Sequence, residues 1–90
     1  MEKKEKKEIQ RGEEEIVFLK KLGEQIATIR KEKDIKQVEL SSRLNIEKAN
    51  LSRIEAGNTN PTILMLRKIC KNLEINWDEL LRDLNNNIEQ

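Results

Sequence analysis

Between Gln37 and Gly57, two short stretches with helical apolar spacing follow one another with almost no chain between them. Leu40 and Leu44 stand four apart in the first, with Val38 and Ser41 beside them, and Leu51 and Ile54 stand three apart in the second. Asn45 sits where the first helix must stop. Asn tolerates the left-handed conformation of a tight turn better than most residues that carry a side chain. Gly57 stops the second, glycine just past a helix end being the commonest stop signal. Isolated helices shorter than about 12–15 residues are marginal in water, so this pair has to be held by other helices.

The flanks supply them. Leu19, Leu22, Ile26 and Ile29 form one apolar stripe on a first helix from Phe18 to about Lys33, with a break at Asp34 and Ile35. After Gly57, Asn58-Thr59-Asn60-Pro61 reads as a loop, because Pro61 pushes Asn60 out of helical space. Thr62 is placed to cap a fourth helix with Ile63, Leu66, Ile69, Cys70 and Leu73 facing inward. Asn76-Trp77-Asp78-Glu79 is a capping box, with Ile75 and Leu80 as its hydrophobic staple. It opens a fifth helix through about Asn85. The expected fold is all-α, a compact five-helix domain over residues 18–86 with the paired helices at 37–56. A charged N-terminal extension, 1–17, is either a solvated helix or disorder, and 87–90 form a tail.

Composition removes whole classes of function. The chain has no His and a single Cys, so zinc fingers, Cys-based zinc clusters, internal disulfides and His-dependent triads are all excluded. There is no phosphate-cradling Gly loop and no metal-ligand cluster; neither enzyme activity nor a cofactor nor a metal is expected. Phe18 and Trp77 are too few to stack single-stranded bases. No apolar run approaches the ~18 residues of a membrane span, and the charged start is unlike a secretory signal, so the expected location is the cytoplasm. The net charge of +1 hides a gradient: −1 over residues 1–15, +6 from Lys20 to Lys71, and −4 from Asn72 onward. A polyanion feels the local field within about a Debye length, ~8 Å at physiological salt, so the basic middle counts for more than the total.

Two short helices joined by a three-to-four-residue turn form the helix-turn-helix geometry, whose second helix can enter the major groove. The second of these helices exposes Lys48, Ala49, Asn50, Ser52 and Arg53, residue types that read base edges and phosphates. Gln37-Val38-Glu39-Leu40-Ser41, Asn45, Leu51-Ser52-Arg53-Ile54-Glu55-Ala56-Gly57 and Asn60-Pro61-Thr62 together resemble the phage-repressor (Cro/repressor, or Xre) family of helix-turn-helix DNA-binding domains. Ile26 to Arg30 and Leu66 to Leu73 fit the same pattern, so the resemblance spans about Leu22 to Leu81.

That resemblance implies a transcriptional regulator, a repressor by expectation, that binds near-palindromic double-stranded DNA as a homodimer. It makes Gln37 a phosphate contact, turns Lys48 and Ala49 toward bases with Ser52 and Arg53 one turn along, and lays Asn50 toward the backbone. Lys36 adds a cation and Asn58 a polar group to the same DNA-binding set. It also implies a structural salt bridge between Arg30 and Glu55. Trp77, Leu81, Leu84 and Ile88 offer an apolar stripe for the dimer; the rival is that this stripe closes the protomer's own core. An alternative function is an antitoxin-like module that binds a small protein partner as well as DNA. Four residues depart from the family pattern, among them Asn45 where the turn usually has Gly. Lys36 gives up an N-cap, Glu47 is a poor cap for the third helix, and Ser41 fits a close helix contact if its hydroxyl bonds back to its own helix.

Overall fold

Five helices follow in chain order: α1 (Glu2–Glu32), α2 (Gln37–Leu44), α3 (Lys48–Ala56), α4 (Ile63–Leu73) and α5 (Trp77–Ile88). The structure, a computed structural model, describes residues 2–88, and the side chains of residues 12–82 and of Leu84. No strand occurs among the described residues. The expectations for residues 89 and 90 of the tail, and for the side chain of Ile88, lie outside what is described.

The same device ends each of the first four helices. Asp34, Asn45, Gly57 and Glu74 all take a positive φ, between 58° and 77°. After each one the backbone folds back on the helix just completed, as Ile46 N–H donates to the Ser41 carbonyl (3.0 Å) and Ile75 N–H to that of Cys70 (3.0 Å). This satisfies carbonyls that a helix end leaves unpaired. Ile35, Ile46 and Ile75, each directly after its left-handed residue, then pack against the core. The stop and the packing are thus one motif.

Helix starts follow the sequence chemistry. Thr62 Oγ1 accepts from Met65 N–H (3.0 Å), and the box at α5 closes in both directions, Glu79 N–H to Asn76 Oδ1 (2.8 Å) and Asn76 N–H to Glu79 Oε1 (3.1 Å). Lys36 and Glu47, at the starts of α2 and α3, make no side-chain cap bond. Ser41 is buried and donates to the Val38 carbonyl (3.0 Å), as a close helix contact requires.

The core is built from Leu22, Ile26 and Ile29 of α1, Leu40 and Leu44 of α2, Leu51 and Ile54 of α3, Ile69, Cys70 and Leu73 of α4, and Leu80 and Leu84 of α5. α1 packs on α3 and α5, and α2 on α3 and α4. Two glycines set the α1–α3 approach. A Cβ on Gly23 would lie 2.4 Å from the carbonyl oxygens of Ile54 and Glu55, and one on Gly57 would lie 2.5 Å from Lys20 Cα. Burial pushes the Cys70 thiol up from its ordinary 9.0, with Glu79 adding to the shift, so this residue is a small packed side chain. One expected core residue is corrected: Ile63 is not inward but 66% exposed. It opens α4 on the outer face, and Met65 and Leu66 take the partly buried places instead.

Candidate nucleic-acid interface

α3 divides into two faces. Leu51, Ile54 and Glu55 are buried, while Lys48, Ala49, Ser52 and Arg53 are exposed, and the spacing i, i+1, i+4, i+5 puts these four on one side. Asn50 lies at the edge of that side, half-buried, and its Oδ1 accepts from Arg53 Nη2. The exposed face is therefore short and offers three donor groups, an ammonium, a hydroxyl and a guanidinium, beside one methyl. Lys36, just before α2, and Asn58, just after α3, are also exposed.

A buried ion pair sets the angle between α3 and the rest of the domain. Arg30 Nε donates to Glu55 Oε2 (2.7 Å) and Arg30 Nη2 to Glu55 Oε1 (3.1 Å), a bidentate pair between two side chains each less than a tenth exposed. The third arm of the guanidinium, Nη1, donates to the Ile35 carbonyl (2.8 Å) and so ties down the turn before α2. The expected Arg30–Glu55 pair is present, and it reaches further than expected.

Gln37 Nε2 donates to the same Glu55 Oε1 at 2.8 Å. Gln37, the first residue of α2, is thereby joined to α3 and through Glu55 to α1. No spacing in the sequence announces this contact across 18 positions. A second unforeseen pair is Arg43 Nη2 to Glu39 Oε2 (2.7 Å), exposed on α2. An acid four residues before a base on a helix is its sequence signal.

The described side chains of the α5 stripe divide between the protomer's own core and the surface. Leu84 is corrected: at 2% exposure it closes the core and cannot face a partner. Leu81 is half-buried against the same core, and Trp77 keeps 38% of its surface exposed.

Comparison with known proteins gives one consistent answer. The sequence model of the HTH_3 family, described as helix-turn-helix, matches residues 26–80. An uncharacterized HTH-type transcriptional regulator, y4dJ of Sinorhizobium fredii, is 32% identical over 62 residues, 69% of this chain and 80% of that protein. Among solved structures, the restriction-modification controller protein C.Esp1396I, a tetramer in complex with its natural 35 base-pair operator, is 32% identical with a TM-score of 0.69, over 81% of this chain and 96% of that one. The clp gene regulator ClgR of Corynebacterium glutamicum, at 19% identity and a TM-score of 0.74 over 80% of this chain and 77% of that one, shares the fold.

Proposed function

This chain belongs to the HTH_3 helix-turn-helix family of regulators, and from that premise we propose that it is a sequence-specific DNA-binding repressor. α3 lies in the major groove of a near-palindromic operator, and the protein acts in the cytoplasm as a homodimer. One helix-turn-helix unit covers half a site, and two-fold symmetry matches a palindrome. The observation that carries the reading is the exposed face of α3: Lys48, Ala49, Ser52 and Arg53 together, on a helix whose other face is anchored by a bidentate buried ion pair. A rigidly held helix can place donors against base edges repeatedly in one register.

In this reading Arg53 donates to guanine O6 and N7, and Ala49 packs on a thymine methyl. Lys48 and Arg53 are five residues apart, so along the helix axis they are separated by about 7–8 Å, roughly two base steps of ~3.4 Å each. Gln37 contacts a phosphate from the start of α2. Its amide has a second N–H free for that contact while the first is held by Glu55. Lys36 and Asn58 add further backbone contacts, and Asn50, toward the backbone side, steadies Arg53.

A gel-shift series over operator variants tests the assignment. Arg53→Ala is expected to lose the preference at one base pair, a discrimination of ~1–3 kcal/mol. Gln37→Ala is expected to weaken all sites alike. Unchanged selectivity in the Arg53 variant would remove α3 as the reading element.

A further inference from the structure

The two cations on the exposed face of α3 differ in how they are held. Lys48 makes no ion pair among the described residues. Arg53 is tethered: its Nη2 donates to Oδ1 of Asn50, three residues back on the adjoining turn. Asn50 can serve as the anchor because it is itself fixed. It is the third residue of α3, its backbone N–H donates to the Glu47 carbonyl (3.0 Å), and its side chain is half-buried.

The tether leaves the base-reading chemistry of Arg53 whole. Nη2 carries two N–H groups, one on the side edge of the guanidinium with Nε and one on the end edge with Nη1. Whichever of them the amide takes, the other edge keeps both of its parallel donors, as many as guanine O6 and N7 accept. A long side chain that binds DNA from a mobile state loses its rotamer freedom at that moment. For Arg53 part of that loss falls in the free protein, before DNA arrives.

We propose that Asn50 is a positioning residue that sets the base preference of Arg53, by holding the guanidinium with one two-donor edge open to a guanine. This role rests on the reading of α3 as the base-reading helix, and it makes a contact within the protein a determinant of sequence preference. Arg53 then discriminates through a fixed fork, whereas Lys48 acts as a mobile point charge.

One measurement needs no DNA. The NMR order parameter of the Arg53 Nε–H is expected to exceed that of exposed Arg67, and to fall to the Arg67 value in Asn50→Ala. Gel shifts over operator variants supply the second. Asn50→Ala, which puts the best helix former in α3, is expected to lose about 2- to 10-fold of the preference at the base pair that Arg53→Ala affects, and at no other. Combined with Arg53→Ala it is expected to cost no further preference there. Asn50→Asp keeps an oxygen acceptor in a first turn that favours an acid, so it is expected to retain the preference while all sites weaken together. An Arg53 side chain as mobile as Arg67 in the wild type overturns the proposal. So does an Asn50→Ala loss spread equally over every base pair, or a preference lost in Asn50→Asp as well. A preference lost in Arg53→Ala and kept in Asn50→Ala removes this role alone; no change in Arg53→Ala removes the functional reading and this role with it.

Discussion

Glu55 carries a carboxylate into the core, and three hydrogen bonds meet its two oxygens: two from Arg30 and one from Gln37. A buried charge without a partner is far costlier than a surface one, so the single change that hurts most is to remove one side of the pair. Glu55→Ala is expected to lower stability by about 3–5 kcal/mol, read as a fall in the urea midpoint with little change in slope. The change also frees the Gln37 amide and loosens the turn at Ile35, so DNA affinity should fall in any fraction that stays folded. At this scale the sequence is legible in part. The Arg30–Glu55 pair follows from family resemblance. The Gln37 contact does not, because it depends on how α2 crosses α3. Ile63 shows the opposite failure: apolar identity points inward, yet its position in the first turn of α4 turns it out.

Helix ends are where local chemistry is strongest, and most of them are readable. Asn45, Gly57, Thr62 and the Asn76–Glu79 box act as their residue types predict. Glu74 does not advertise itself as a left-handed stop; the signal is the pairing with Ile75, repeated at Asp34-Ile35 and Asn45-Ile46. An isoleucine that must bury immediately after a polar residue forces the chain to turn there, and the polar residue accepts the strain. The start of α2 shows a different compromise. Lys36 makes no cap bond, and Lys36→Thr is expected to stabilise the domain by ~1 kcal/mol, since a hydroxyl there can bond α2's free N–H groups. The same change removes a cation from the proposed DNA face, so Tm should rise while DNA affinity drops. Thr62→Ala gives the reverse reading, a loss of ~1 kcal/mol with DNA selectivity unchanged.

Across the whole molecule charge is distributed by job. The helical middle is basic, the ends are acidic, and the total is near zero. The small total limits long-range attraction to a polyanion, so in the proposed reading binding leans on the local basic middle, on base contacts and on two half-sites bound at once. The order of elements and the position of the paired helices are legible in the sequence because apolar spacing and stop residues agree. α1 itself, at 31 residues and about 46 Å by helical rise, accounts for the 48 Å long axis of the molecule.

Selection of bound DNA from a random pool, run in parallel for the wild type and for Arg53→Ala, tests the central claim that α3 reads sequence. The account predicts a near-palindromic sequence enriched by the wild type, with one guanine in each half-site whose preference vanishes in the variant while the rest of the site persists. An unenriched pool, or the same site selected with the same guanine by both proteins, would contradict it.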